Sequence, residues 1–258
     1  METSICSYSF HRSFADGAMD IFDYIQWCHE TRFTQLYPWM KHLEPGLTDP
    51  VFVDRVLAAG EKVGMPFGCI AVDGAHIYEE DEVKRANNRR MAYRWIDIAD
   101  RLGAAQVRID AGGPEEMTDA IFAVIVEGYK DVIGYAAKRD IEVIVENHWG
   151  PTKHPENVVR LLENIDGLGL LFDTNNWAEG KQEEGWERCA KYARLTHVKT
   201  FSFDEAGNDP SVDLSKAMRL LQEAGYNGVW GVESCPLDGD EKSAGAKTLA
   251  LIKREVKG

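Results

Sequence analysis

Four potential metal ligands each follow a short apolar run in the second half of the chain. They are Glu146, Asp173, His197 and Glu233. A run such as residues 143–145 is apolar on both faces, which is typical of a buried strand in a parallel sheet. If the four runs are neighbouring strands, their carboxyl ends share one edge of the sheet, where α/β folds hold their chemistry. Three carboxylates that converge there would repel one another unless a cation lay between them.

Oxygen-rich ligands with one nitrogen suit Mn²⁺, Mg²⁺ or Co²⁺ better than a structural zinc, and Zn²⁺ is a further alternative. Such an ion would orient a substrate carbonyl and an adjacent hydroxyl, and would stabilise the enediolate that forms when the neighbouring C–H loses its proton. Reprotonation on the other face gives epimerisation, transfer on one face gives isomerisation, and expulsion of a β-substituent gives elimination. The ligand set leaves all three open. Taken singly, each ligand could instead cap a helix or pair with Lys199 or Arg194.

Strand-like and helix-like patterns alternate along the whole chain, eight of each. The strands are predicted at residues 4–10, 34–39, 66–72, 105–109, 141–145, 168–172, 195–200 and 228–232. The helices are predicted at residues 18–31, 50–64, 83–102, 119–139, 155–164, 185–193, 212–224 and 243–256. Because no linker or change in composition interrupts the series, we predict an α/β fold, a single (β/α)₈ TIM barrel domain over residues 1–258. A doubly wound sheet is the alternative.

Further side chains at predicted strand ends would line the mouth of the barrel. His148 is a candidate base or a support for a metal ligand, and Lys199 would contact a substrate oxygen or pair with a glutamate. Arg108 and Asp110 flank the end of the fourth strand, and strand alternation is expected to point one of them, with Asp110 preferred, into the mouth. His11 would bind a sugar hydroxyl or pack at the rim.

Aromatic residues and one acidic loop also fall near the predicted mouth. Trp39, Trp149 and Trp177 come at strand ends, where a flat ring could stack on a sugar or pack against the rim. Of these, we expect Trp149 to bind substrate. Residues 73–81 are a candidate lid over the mouth.

The composition limits the classes of partner and the compartment. A formal net charge of -14 and a pI of about 5.0 disfavour nucleic acid and anionic membrane surfaces. Five cysteines without a CxxC pair indicate reduced thiols in a cytoplasmic protein, and we expect Cys6, Cys69 and Cys235 to be small core residues. No apolar run is long enough to span a membrane, and the first residues lack the basic start of a signal peptide.

Several segments resemble the xylose-isomerase-like barrel superfamily, the sugar phosphate isomerase/epimerase group. They are Val-Glu146-Asn147-His148, Phe-Asp173-Thr-Asn-Asn176-Trp, Thr-His197-Val-Lys199 and Val-Glu233-Ser. The likeness covers essentially the whole chain and is strongest over residues 141–235. It implies that the four ligands bind one divalent ion, commonly Mn²⁺, and that the two glutamates double as acid and base.

The motifs depart from those of the ketose 3-epimerases in this group. Those enzymes have a His three residues after the metal Asp, where this chain has Asn176, and Thr152 and Phe203 stand where they have Glu and Arg. The Glu-Asn-His and His-Val-Lys triplets resemble a branch that acts on oxidised sugars and glycosides with a 3-keto group. That resemblance implies that His148 is the base, and we expect Asn176 among the substrate-binding residues.

Two enzyme hypotheses result from these patterns. The first is a metal-dependent sugar isomerase or epimerase that works through an enediolate, and the alternative is a 3-keto-glycoside lyase or hydratase that uses the same site. An apurinic endonuclease shares the barrel but needs many histidines and a basic groove, whereas this acidic chain has 7 His. A sugar-binding protein would not need two opposed glutamates. We expect a small sugar or glycoside as the partner and a homo-oligomer as the assembly.

Overall fold

Seven parallel strands form one curved sheet in the computed structural model, which describes residues 1–256. The strands are β1 (Thr3–Ile5), β2 (Cys69–Val72), β3 (Gln106–Ile109), β4 (Glu142–Glu146), β5 (Leu168–Asp173), β6 (Ala193–Thr200) and β7 (Trp230–Ser234). Their order in the sheet is β1-β7-β6-β5-β4-β3-β2, and every neighbouring pair is parallel. All carboxyl ends therefore lie at the same end of the sheet, which is here called the mouth.

Residues 36–39 close the sheet into a barrel between β1 and β2. The Ser7 N–H donates to the Tyr37 carbonyl at 2.9 Å, and the Ala71 N–H donates to the Pro38 carbonyl at 3.0 Å. The predicted second strand, residues 34–39, is wrong as a regular strand, because only isolated bridges form there. Pro38 has no N–H to give to a ladder, so the segment makes a few bonds to each neighbour and no more.

The first strand is shorter than the pattern predicts. Residues 4–10 are predicted as a strand, but β1 ends at Ile5 and Ser7–Phe10 is a 3₁₀ turn. Serine side chains supply the missing backbone partners, since Ser7 Oγ accepts from the Trp39 N–H at 2.8 Å and Ser9 Oγ accepts from the Ser234 N–H at 3.0 Å. Such side-chain bonds compete with strand ladders.

Helices cover the outside of the sheet. Within residues 1–256 they are α1 (His11–Ala15), α2 (Ile21–Thr31), α3 (Pro50–Val63), α4 (Glu82–Leu102), α5 (Asp119–Ala136), α6 (Pro155–Asn164), α7 (Gln182–Cys189), α8 (Leu214–Glu223) and α9 (Glu241–Glu255). The predicted ends of α3 and α4 are confirmed, because Gly64 and Gly103 follow them with φ of 70° and 68°, the left-handed conformation that glycine adopts without strain. None of the helices in these residues is long and apolar enough to cross a membrane.

The core has an outer layer between sheet and helices and a small cluster inside the barrel. The inner cluster consists of Cys6, Tyr37, Cys69, Ala71, Ile144, Leu171 and Leu195. Cys6 and Cys69 are buried there, as predicted, whereas Cys235 is only partly buried. This apolar cluster forms the floor on which the polar residues of the mouth rest.

Candidate metal and substrate site

Three of the four predicted ligands lie one layer above the apolar floor. Side chains two residues apart on a strand point to the same face, so each ligand stands above an interior residue of its own strand. The pairs are Ile144 and Glu146 on β4, Leu171 and Asp173 on β5, and Leu195 and His197 on β6. The fourth, Glu233, comes from β7, the next strand after β6.

The structure brings all four predicted ligands together. His197 Nδ1 lies 3.1 Å from Glu146 Oε1, 3.5 Å from Asp173 Oδ2 and 3.8 Å from Glu233 Oε1. All four residues are buried, with relative exposures between 0% and 6%. We call them the ligand cluster.

The donor set of the ligand cluster fits a divalent cation. Glu146 Oε2 and Asp173 Oδ2 are buried and have no hydrogen-bond partner. Buried carboxylate oxygens without partners are costly, so these two point to an additional positive group. Ligand atoms of Glu146, Asp173 and His197 all lie within 4.8 Å of one another. The acid and imidazole ligands would hold the ion, with Glu233 as the fourth.

Protein cations partly balance the charge of the ligand cluster. Lys199 Nζ lies 2.6 Å from Glu233 Oε2, and Arg108 Nε lies 3.1 Å from Glu146 Oε2 without the alignment of a hydrogen bond. Burial alone would raise the pKa of Glu233, but Lys199 and His197 lower it below the usual range. Burial would lower the pKa of His197, yet the carboxylates of Glu233 and Glu146 raise it well above the ordinary value. Glu233 is thus ionised at physiological pH.

Asn147 faces away from the ligand cluster and joins two of its strands. Its amide nitrogen donates to the Asp173 carbonyl at 2.9 Å, and its amide oxygen accepts from the Asp173 N–H at 2.9 Å. The Asn175 and Asn176 N–H groups donate to Asp173 Oδ1 at 2.6 and 3.0 Å. These bonds fix the backbone and one oxygen of Asp173 and leave Oδ2 for the cluster.

His148, a predicted base, lies at the edge of the ligand cluster. Its Nδ1 is 3.3 Å from Asp110 Oδ2 and 3.8 Å from Glu146 Oε2, and its side chain is 28% exposed. Burial alone would lower the pKa of His148, but Glu146 and Asp110 raise it to about 9. Burial would likewise raise the pKa of Asp110, whereas Arg108 and His148 lower it to about 2. Asp110 therefore stays ionised and orients the imidazole through Nδ1.

Arg108 and Asp110 correct one prediction. Alternation was expected to point one of them into the mouth, but both point there and pair at 2.6 Å. Residues two apart lie on the same face of a strand, so the pair was bound to share a side. Arg108 is 3% exposed and also pairs with Asp73, the first residue of the candidate lid, a contact that the sequence patterns did not predict.

Two more predicted residues form a bridge over the ligand cluster. Asn176 Nδ2 donates to Glu146 Oε1 at 3.2 Å, and Asn176 Oδ1 accepts from Lys199 Nζ at 3.2 Å. Lys199 also makes the ion pair with Glu233, which was one of the two expectations for it. Both side chains therefore contact ligands of the cluster, and their contacts with substrate stay a prediction.

The predicted aromatic residues divide into mouth and core. His11 stacks on Tyr8 with ring centroids 4.7 Å apart. Trp149 is 43% exposed and stacks on His148 at 4.9 Å. Trp39 donates its Nε1–H to Asp73, whereas Trp177 is buried and packs against Phe172.

Two features of the mouth differ from, or add to, the sequence-based expectations. The candidate lid, residues 73–81, is tied down at Ile77 and Tyr78, whose N–H groups donate to the Asp110 and Ala111 carbonyls. Tyr37, which the patterns missed, places its hydroxyl 3.1 Å from His197 Nε2. Tyr37 lies in an irregular segment, so no periodic pattern marks it as a site residue. Its position just before Pro38, near the end of a predicted strand, was the one feature of the sequence that could have indicated it.

Comparisons with known proteins agree with this architecture. The family model described as Xylose isomerase-like TIM barrel matches residues 20–254. A curated inosose dehydratase of Yersinia enterocolitica is 28% identical over a match that spans 45% of this chain and 49% of that protein. The structure of the IolI protein with a bound zinc atom has a TM-score of 0.83 at 15% identity and covers 100% of both chains. The structure of 3-keto-D-glucoside 4-epimerase YcjR from E. coli has a TM-score of 0.72 at 15% identity, covering 91% of this chain and 94% of that one.

Proposed function

Because the chain belongs to the xylose isomerase-like TIM barrel family, we propose that it is a divalent-metal-dependent enzyme that removes a proton beside the ketone of an oxidised sugar or glycoside and expels the β-substituent. In this proposal the lyase or dehydratase hypothesis takes precedence over the isomerase or epimerase hypothesis. The observation that carries it is the asymmetry of the bases: His148 is partly exposed, whereas Glu146 and Glu233 are buried and paired with cations.

His148 is arranged as a base on one face of the substrate. With Nδ1 directed at Asp110, the neutral ring carries its lone pair on Nε2, which is the geometry of an oriented imidazole base. The charge of Glu146 contributes to the raised pKa of His148, so a divalent ion that offset this charge would lower the pKa and would let the ring accept a proton at neutral pH.

The elimination begins when His148 takes the proton from the carbon next to the ketone. The C–H electron pair forms the C=C bond of the enolate, and the charge moves to the former ketone oxygen. When the C=O bond re-forms, the enolate pair shifts to make a C=C bond between the α and β carbons, and the bond from the β carbon to its oxygen breaks. The departing oxygen keeps the bonding pair and takes up a proton from protonated His148, directly or through water, so His148 is neutral again and the products are an unsaturated ketone and water or an alcohol. Lys199 and Asn176, whose side chains lie 3.2 Å apart beside the ligand cluster, would bind substrate oxygens during this step. A divalent ion on the ligand cluster would supply a Lewis acid for the developing negative charge.

Epimerisation or isomerisation is the second candidate. Glu146 and Glu233 approach the same His197 nitrogen from β4 and β7, which would suit bases on two faces of a sugar. Each would first have to leave its cationic partner, Arg108 or Lys199. That requirement makes two-base chemistry the less favoured hypothesis.

An incubation in D₂O separates the two candidates. The Mn²⁺-loaded protein is mixed with 3-keto-glucosides, with inososes and with free ketoses, and the products are followed by NMR and absorbance. Release of the aglycone or of water, with a new conjugated ketone, supports elimination. Deuterium uptake without release supports isomerase or epimerase chemistry. If neither occurs while the metal is bound, both candidates are contradicted.

A His148→Gln variant tests the assigned base. Loss of a positioned base costs about 100-fold or more in rate, so we expect turnover to fall by at least that factor while metal affinity stays within about threefold of the parent. His29→Gln, on the exposed face of α2, is the matched control and should keep full activity. Full activity of His148→Gln would contradict its role as the base.

A further inference from the structure

A pocket of about 700 Å³ opens beside the ligand cluster and is lined mostly by apolar and aromatic side chains. Its walls come from the turn after β1, from α1 and the loop behind it, and from the segment that leads into α3. The wall residues that matter here are Tyr8, Phe14, Met19, Trp39 and Phe52. None of the proposed steps in elimination uses this pocket, which we call the aromatic pocket.

Two wall residues of the aromatic pocket, Tyr8 and Trp39, place the pocket close to the ligand cluster. The rings of Tyr8 and Trp39 meet edge to face with centroids 5.0 Å apart, and both pack against the apolar floor of the barrel. The Trp39 N–H donates to Asp73, which pairs with the buried Arg108 beside Glu146. Two side chains, Asp73 and Arg108, therefore connect the pocket wall to the ligand cluster.

The character of the pocket differs from what a bare sugar requires. Sugars carry hydroxyls on every face, and their sites need polar partners. Most of the exposed wall surface of this pocket is apolar, and the smaller polar part comes from residues that include His11, Asp20, Lys41 and His42. A second recess of about 610 Å³, lined by residues such as His76, Glu79 and Trp149, offers polar partners on the side of His148. The mouth thus has a polar recess and an aromatic one that a two-part molecule would fill.

We propose that the aromatic pocket binds the apolar, aromatic aglycone of a glycoside whose sugar ring lies at the ligand cluster. The size fits, because small-molecule pockets measure roughly 300 to 1,000 Å³. Flat rings pack well against an aromatic wall, and burial of a phenyl group removes apolar surface from water. The inference rests on the proposed function for the position of the sugar, and it narrows the substrate to glycosides with an apolar leaving group.

Two unreactive glycosides test the pocket without turnover. Phenyl β-D-glucopyranoside and methyl β-D-glucopyranoside lack the ketone, so their affinities for the Mn²⁺-loaded protein can be measured by calorimetry. We expect the phenyl compound to bind at least about tenfold more tightly, because its ring is buried in the pocket. Ala15→Trp, which fills the pocket, should abolish the preference, whereas Ala58→Trp on the exposed face of α3 should retain it.

The outcomes separate this inference from the proposed function. A phenyl preference that Ala15→Trp removes supports the pocket even if 3-keto-glucosides are not turned over, a result that would contradict only the function. Equal affinities, or no binding of either compound, overturn the pocket even if 3-keto-glucosides are cleaved. If the parent shows no phenyl preference and Ala15→Trp changes the oligomeric mass, the pocket surface belongs to a subunit interface. That outcome would also overturn the inference that the pocket binds an aglycone.

Discussion

At the scale of single residues, the ligand cluster combines charges that would be unstable together without a cation. Substitution of Glu146 tests most directly whether the cluster binds a cation. One of its carboxylate oxygens contacts His197, and the other is buried without a hydrogen-bond partner. We expect Glu146→Gln to weaken Mn²⁺ binding by about 100-fold or more, since even residues that only support a ligand contribute 10- to 100-fold. Titration of free Mn²⁺ by electron paramagnetic resonance measures the affinity.

Glu142→Gln is the control for that variant. Glu142 begins the same strand, β4, and its carboxylate interacts with Gln106 and Arg194 at the opposite end of the barrel. We expect this variant to bind Mn²⁺ as the parent does. Equal affinities for Glu146→Gln and the parent would show that the ion binds elsewhere.

The convergence of Glu146, Asp173, His197 and Glu233 could be predicted from sequence because each residue follows its own apolar run, a local signal. For Arg108 the sequence offered only a choice with Asp110, because its contacts are with Asp73, which follows β2, and with Glu146 on β4. Tyr37 escaped for a similar reason, since its hydroxyl meets His197 only after 160 residues of intervening chain have closed the barrel. Contacts across the barrel join residues far apart in the chain, so they produce no local periodic pattern in the sequence.

At the scale of elements, the 3₁₀ segment that begins at Met40 carries a titratable group into the wall of the aromatic pocket. Burial, with a smaller effect from His11, lowers the pKa of His42 to about 4. Ser7 Oγ lies 2.7 Å from His42 Nδ1, and the Phe14 ring stacks on the imidazole. The folded protein therefore holds His42 in its neutral form.

The lowered pKa of His42 predicts a loss of stability in mild acid. Below the ordinary pKa of 6.5 the unfolded state binds the proton first, so this contribution is full above about pH 6.5 and is lost as the pH falls through 4. His42→Asn should reduce the fall in unfolding free energy between pH 6.5 and 4 by about 1 to 2 kcal/mol, allowing for screening at a partly exposed ring. Urea unfolding at several pH values measures it. With His29→Asn as control, an unchanged slope in His42→Asn would refute the assignment.

The sequence predicted the bounds of regular helices and strands more accurately than it predicted irregular segments. Helix α6 was predicted at its observed bounds, because it begins at Pro155 and carries a clear apolar stripe. Helix α1 was missed, since five residues are too few for a helical period to appear. Residues 34–39 looked like a strand, but Pro38 and bonds from two different neighbours made them a bridge.

At the scale of the whole molecule, binding of a cation should raise the free energy of unfolding. A ligand that binds only the folded state adds about 2.7 kcal/mol at 100 times its dissociation constant. For a chain of 258 residues, that corresponds to a rise in Tm of roughly 5 to 10 °C. We expect Mn²⁺ to raise the Tm of the metal-free protein by this amount, and EDTA to reverse the rise, in differential scanning calorimetry.

The net charge of -14 makes a control for this stability prediction necessary, because an acidic surface attracts divalent ions without any built site. Surface attraction weakens with added salt, whereas binding by buried ligands is screened much less. The rise in Tm should therefore persist in 0.5 M KCl and should vanish in Glu146→Gln. A rise that disappears in salt, or that is equally large in Glu146→Gln, would mean that the stabilising ion sits on the acidic surface and that the ligand cluster does not hold it.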